Sequence, residues 1–291
     1  MGMQPRFARP PRHEVQRARA LFLPLRALFS PVFIDLHKAP TAGPRLFVGN
    51  HSLMGGLDVP HLFWQLVEER DIWLRGLGDH AHWNVPVWRE LMDRWGVVDG
   101  TPENCARLLD AGEPVLVFPG GSREVAKRRG EQYELIWKQR TGFARLAIEH
   151  GATIVPFAAL GADDAWDIVA DAEDMLASPA GQWVKRVVDS VGLPADAVPP
   201  IVRGIGPTPI PRPVRLYFAI GDPIDAAALA ADPNDEDARW ALRERTRTDI
   251  EALLFKLRRV REGDPHADFA RRATRGMLER FGHLLRPAHK R

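Results

Sequence analysis

Two short stretches hold residue types that can do chemistry together. In Phe47-Val48-Gly49-Asn50-His51-Ser52-Leu53-Met54-Gly55-Gly56-Leu57-Asp58, an apolar run ends at Gly-Asn, a histidine follows, and a carboxylate comes after two glycines. A strand end that delivers a histidine into a loop, with an acid nearby, can build a general base and the group that orients it. The plainer alternative is a histidine that caps a turn, and this stretch alone leaves both open. In the second stretch, Val115-Leu116-Val117-Phe118 breaks into Pro119-Gly120-Gly121-Ser122-Arg123-Glu124. The glycine pair permits unusual backbone angles and close approach of a ligand. Its amides could hold a phosphate or a developing oxyanion. Arg123 offers a planar donor fork, and Glu124 could orient it.

The elements around these loops must bring them together. Arg45–Val48, Val97-Val98, Pro114–Phe118, Thr153–Phe157 and Arg215–Ile220 read as strands, and Asp71–Leu74 as a short one. Helices are expected over residues 59–69, 85–95, 101–111 and 141–150, and from Glu236 to about Arg259. A further helix is expected over 268–285. Strands alternating with helices predict an α/β fold with a largely parallel central sheet flanked by helices. In such sheets sites form beyond the carboxyl ends of the strands, so the two loops are expected to share one crevice. Three segments are expected: a basic, apolar N-terminal helical segment (1–40), an α/β domain (41–230) and an arginine-rich helical extension (231–291). Residues 162–192 read as helical and 194–213, rich in proline and glycine, as irregular.

Composition excludes other classes. Net charge is only +2 over 291 residues, too little for a global field toward nucleic acid. The lone Cys105 excludes a disulfide framework or a multi-cysteine metal site and suits a reducing compartment. It stands in a helical pattern and reads as a small buried thiol. No Gly-x-Ser-x-Gly elbow supports a serine hydrolase, although Ser52 and Ser122 are present. No Gly-Lys-Ser/Thr follows the Gly-Gly loop, so it is not a P-loop. His80 and His82 alternate without metal-ligand company, and no metal is expected. No window is apolar and long enough to span a membrane. The first thirty residues set Arg6, Arg9, Arg12, Arg17, Arg19 and Arg26 against Glu14 alone, and Leu21–Ile34 is strongly apolar. That pairing fits an anionic membrane surface, or arginines on a solvated helix whose apolar side joins the core.

Together, Val48-Gly49-Asn50-His51 with a following Asp, Phe118–Glu124 and Ile154-Val155-Pro156 resemble the ordered blocks of the glycerolipid acyltransferase superfamily. The Pro-Gly-Gly-x-x-Glu form resembles the branch with diacylglycerol acyltransferases and phytyl ester synthases. The resemblance covers about residues 45–225 and implies O-acyl transfer from acyl-CoA or acyl-carrier protein, with no bound cofactor, to a lipid hydroxyl. His51 is implied as general base, with no acyl-enzyme, and Asp58 as its orienting partner. Pro119, Gly120, Gly121, Ser122, Arg123 and Glu124 would shape the acceptor site, with Arg75 and Asp79 as weaker candidates for the same crevice. Val155-Pro156 would wall the acyl chain. Six residues separate His51 from Asp58, two more than the family's usual spacing. Pro-Gly-Gly-Ser-Arg stands where glycerol-phosphate acyltransferases carry Glu-Gly-Thr-Arg, which points to a neutral acceptor such as diacylglycerol or a long-chain alcohol. The expected setting is cytoplasmic, peripheral on the membrane. The rival expectations are a lipid ester or thioester hydrolase and a non-enzymatic lipid-binding protein.

Overall fold

A computed structural model of the chain describes residues 9–80, 86–190, 197–229 and 232–268. The strands are β1 (Val32–Ile34), β2 (Arg45–Gly49), β3 (Arg75–Gly78), β4 (Val98–Asp99), β5 (Pro114–Val117), β6 (Thr153–Leu160), β7 (Asp167–Ala170), β8 (Ile201–Arg203), β9 (Tyr217–Ile220) and β10 (Ile224–Asp225). The helices are α1 (Arg12–Phe29), α2 (Asp58–Arg70), α3 (Pro86–Trp95), α4 (Pro102–Asp110), α5 (Ser122–Val125), α6 (Gly142–Glu149), α7 (Ala172–Ala177), α8 (Gly181–Ser190), α9 (Ala226–Leu229) and α10 (Glu236–Glu262).

The main sheet runs β1-β9-β6-β2-β5-β3-β4, with β10 paired to β6. From β6 to β4 every neighbour is parallel. β9 runs antiparallel to β6 and carries β1 beside it. Parallel strands are covered on both faces, which is why β2 and β5 are continuous apolar runs rather than alternating ones. Leu46, Val48, Val115 and Ile154 face one side with Leu108 of α4, Ala147 of α6 and Leu254 of α10. Phe47, Leu116, Val155 and Phe157 face the other with Leu62 and Leu66 of α2 and Phe29 of α1. The α/β reading of the sequence therefore holds. Local signals hold as well: Thr101 caps α4 by accepting the Asn104 N–H at 3.2 Å, and Pro102 fills its first turn.

Several expectations shift. Described parts of both expected terminal segments join the α/β unit: β1 lies in the sheet, and Leu242, Ile250, Leu253 and Leu257 of α10 lie in the core. The strand expected at Asp71–Leu74 forms at Arg75–Gly78, because Ile72, Trp73 and Leu74 are buried before ladder pairing starts. The helical reading of 162–192 gives way to a 3₁₀ turn (Ala162–Ala165), strand β7 and the short α7 and α8; β7 pairs with β8 as a separate two-stranded sheet. The helix expected over 268–285 lies, after Asp268, outside the described residues, as do Arg6 and His82.

α1 continues through Pro24 and packs along α2, with Phe22 edge-on to His61 at 4.7 Å. Arg19 and Arg26 both pair with Glu68, and Arg9 with Asp71. The apolar segment divides along its length: Phe29 is buried, while Leu21 is 82% and Leu23 52% exposed. Among the described residues no helix is long and apolar enough to cross a membrane.

Candidate active site

The site begins where β2 ends. A side chain at Gly49 would place its Cβ within 2.6 Å of the Phe157 ring, so the strand can pass that ring only as glycine. Asn50 then clamps the strand end to β6: its side-chain amide donates to the Ala159 carbonyl and its oxygen accepts the Ala159 N–H, each at 2.9 Å. His51 follows, beyond the carboxyl end of the strand.

The extra residues between His51 and Asp58 are taken up in a tight turn. Met54 and Gly55 both have positive φ, at 63° and 60°, and the Gly55 N–H donates to the Ser52 carbonyl at 3.0 Å. α2 then starts at Asp58, whose Oδ2 lies 3.1 Å from His51 Nδ1. The same oxygen accepts the Ser52 N–H at 2.9 Å, and Oδ1 accepts the Val59 N–H at 2.8 Å. Burial alone would raise this carboxyl; the charge and hydrogen bond of His51 and the two backbone donors outweigh it and hold it at about 2. A first-turn position on α2 favours the same anion. A carboxylate can only accept, so Nδ1 carries the proton and Nε2 is left as the basic nitrogen. The imidazole stacks on Phe118, ring centres 3.8 Å apart and planes within 9°. Gly55 lies against its other edge: a Cβ there would sit 2.8 Å from Cε1 and 3.0 Å from Nε2.

Phe118 opens the second loop, so the structure brings the two stretches together. Gly121, at φ 55°, turns the chain into the single turn of α5, and Arg140 donates to the Pro119 carbonyl at 3.0 Å. Glu124 folds back over Gly120, where a Cβ would lie 2.2 Å from its Cγ. The buried carboxylate accepts the His51 N–H at 3.4 Å and the Ile136 N–H at 3.1 Å. Burial pushes Glu124 up to about 7, against the pull of Lys127 and His51.

Two expected site residues face elsewhere. Arg75 pairs in register with Val115, as Leu46 does, at the amino end of the strands. It is buried there, donating to Glu113 at 2.8 Å and packed against Gly96. It is thus not in the crevice of His51: the site lies past the other end of the sheet. Arg123 turns inward and gives its fork to the Ala126 carbonyl at 3.1 Å and to Glu131 at 2.5 Å, holding the loop after α5. Val155 and Pro156 lie mid-strand in β6, and Val155 is buried in the core. Asp79 is exposed just beyond β3.

The sequence reading gave Asn50 no role of its own and missed the stack on Phe118 and a buried ion pair, Lys127–Asp163 at 2.8 Å. An acidic pair, Asp163-Asp164, at the end of the longest apolar strand was the available signal. A cavity of about 380 Å³ opens between α4 and α6, lined by Leu77, Cys105, Val117, Phe143 and Leu146 with Arg145 at its edge. His51 is not in its lining, but Val117 precedes the Phe118 that stacks on it.

Residues 31–159, somewhat under half of the chain, match the model of the Acyltransferase family. It is 31% identical to phytyl ester synthase 2, chloroplastic, of Arabidopsis thaliana over 251 residues, 80% of this chain and 35% of that protein. Phytyl ester synthase 1, chloroplastic, of the same plant is 31% identical over 264 residues, 84% of this chain and 36% of that one. Diacylglycerol O-acyltransferase 2 of Dictyostelium discoideum is 25% identical over 163 residues, 54% of this chain and 47% of that one. The chain thus spans about a third of the length of the phytyl ester synthases it matches. The crystal structure of the 1-acyl-sn-glycerophosphate (LPA) acyltransferase PlsC from Thermotoga maritima overlays with a TM-score of 0.42 at 14% identity, covering 82% of each chain.

Proposed function

We propose that this protein transfers a fatty acyl group from acyl-CoA or acyl-carrier protein to the hydroxyl of a neutral lipid, such as diacylglycerol or a long-chain alcohol. The observation that carries the reading is the His51–Asp58 contact, 3.1 Å long, with Asp58 held by two backbone donors. Asp58 keeps the Nδ1–H tautomer, so Nε2 takes the acceptor's proton as its oxygen attacks the thioester carbonyl. The tetrahedral adduct collapses, the C–S bond breaks, and the imidazolium returns the proton to the departing thiolate. No bond to the enzyme forms, which suits a site without a nucleophile elbow. The Gly120-Gly121 loop, Pro119 and Ser122 shape the acceptor's place beside His51. Arg123, engaged with Ala126 and Glu131, leaves no fork for a phosphate, and this supports an uncharged acceptor. The apolar cavity beyond Val117 is of a size to hold part of an acyl chain.

The exposed Leu21 and Leu23, on the same helix as exposed Arg12 and Arg17, support peripheral binding to an anionic membrane surface, and the cytoplasmic face is the side proposed for it. The test is an assay of labelled acyl-CoA and acyl-carrier protein, with diacylglycerol, long-chain alcohol, lysophosphatidate or no acceptor. New ester with a neutral acceptor is expected. Ester only on lysophosphatidate would overturn the acceptor class, free acid alone would make the protein a hydrolase, and no turnover would leave lipid binding.

A further inference from the structure

We propose that the buried Lys127–Asp163 ion pair positions His51, by holding the loop that follows the histidine through the Leu53 N–H. This deepens the acyl-transfer reading and rests on it for its catalytic consequence.

Asp163 lies in the 3₁₀ turn just past β6, and Lys127 in the loop after α5. Both are almost fully buried. One carboxylate gathers three segments. Its Oδ1 accepts the Leu53 N–H at 2.6 Å; its Oδ2 accepts Lys127 Nζ at 2.8 Å and the Tyr133 N–H at 2.8 Å. Leu53 is two residues beyond His51. Next to it, the Met54 N–H donates to the Val125 carbonyl at 3.0 Å. On the other side Asn50 is clamped to β6. The ring of His51 can stay at hydrogen-bond distance from Asp58 only while this loop keeps its course, and Asp163 reaches the loop from the turn after β6.

Stability alone does not explain the pair. Taking two charges out of water costs solvation energy that their attraction rarely exceeds, and apolar residues of similar volume are often neutral or better replacements. What an apolar pair could not do is accept the Leu53 N–H. Lys127 has a second neighbour: its charge pulls back on the buried carboxyl of Glu124, which itself accepts the His51 N–H. The pair thus acts on His51 from both sides, through Leu53 and through Glu124. These are positioning roles; neither side chain needs to meet substrate.

The test compares two double variants that both lack the charges. Lys127→Met/Asp163→Leu nearly keeps the length and branching of the two side chains and loses the acceptor. Lys127→Met/Asp163→Asn keeps an oxygen for the Leu53 N–H. Folding is checked by circular dichroism and thermal melting, His51 geometry by the downfield proton signal of its Nδ1–H, and activity by kcat and KM. The Leu variant is expected to stay folded but to melt below the wild type, because the Leu53 and Tyr133 N–H groups lose their acceptor, to lose the downfield signal, and to lose about tenfold or more in kcat with KM little changed, as slight misplacement of a catalytic group does. The Asn variant is expected to recover the signal and most of kcat. A folded Leu variant with wild-type kcat and an intact signal would overturn the proposal, as would two doubles that behave alike. If the wild type transfers no acyl group, the acyl-transfer reading fails by itself, and the proton signal alone still decides whether the pair positions His51.

Discussion

Two buried carboxylates flank His51, and the chain treats them oppositely. Asp58 is drawn down to about 2 from an ordinary 3.8, so its contribution is fully present above pH 3.8 and is lost as pH falls through about 2. That shift corresponds to roughly 2 kcal/mol. Glu124 is raised to about 7 from 4.5. The native state therefore holds this proton where the unfolded chain has lost it, and stability falls as pH rises from 4.5 to 7, by roughly 3 kcal/mol. Glu124→Gln removes that titration. Its melting temperature relative to wild type should be more favourable at pH 8 than at pH 5; an equal difference at both pH values would show that Glu124 titrates normally. At this scale His51 and Glu124 were legible as reactive types beside glycines. The Lys127–Asp163 pair was not, because its members lie far apart in the chain and each alone reads as a surface charge.

At the scale of elements, the site depends on how two loops leave their strands. The turn over Ser52–Gly55 is what returns Asp58 to His51 despite the longer spacing. Gly55 must adopt φ 60° and must also leave room for the imidazole and for Val125. Gly55→Ala should cost about 1 kcal/mol for the backbone conformation and, in addition, at least about tenfold in kcat from crowding His51. Gly112→Ala is the control: φ is 72° but nothing lies within 4 Å of a Cβ there, so stability should drop with kcat unchanged. Equal kcat losses in both would mean that Gly55 matters only for folding. Strands β2, β5 and β6 were readable because buried parallel strands are unbroken apolar runs. β1 was not, since Val32-Phe33-Ile34 is only three residues long and stands just after an apolar helix, across Ser30-Pro31. β7 and β8 were not: burial alternates along them, but apolar Val169 and Ile201 stand on the exposed side, so the sequence shows no alternation.

For the whole molecule, the charge at the N-terminus means less than the sequence suggested. Arg9, Arg19 and Arg26 are engaged with acids at the end of α2. That face was invisible in sequence, because the acids lie far along the chain from the arginines. What α1 offers outward is Leu21 and Leu23, with Arg12 and Arg17 on its exposed surface. Binding to anionic vesicles should therefore rest on apolar contact and weaken only in part as salt screens the cations. Leu21→Glu/Leu23→Glu should abolish vesicle sedimentation while leaving the melting temperature unchanged. Wild-type sedimentation by that variant would move the membrane contact elsewhere on the molecule.

In the proposed reaction His51, oriented by Asp58, is the base of acyl transfer, and this role decides the rest. It is tested most directly by measuring kcat for ester formation, from a labelled acyl thioester and a neutral lipid alcohol, in the wild type, His51→Ala and Asp58→Asn. A loss of about 10²–10⁴-fold or more is expected for His51→Ala, a smaller but large loss for Asp58→Asn, and a retained fold in both. Wild-type ester formation by a folded His51→Ala variant would contradict it.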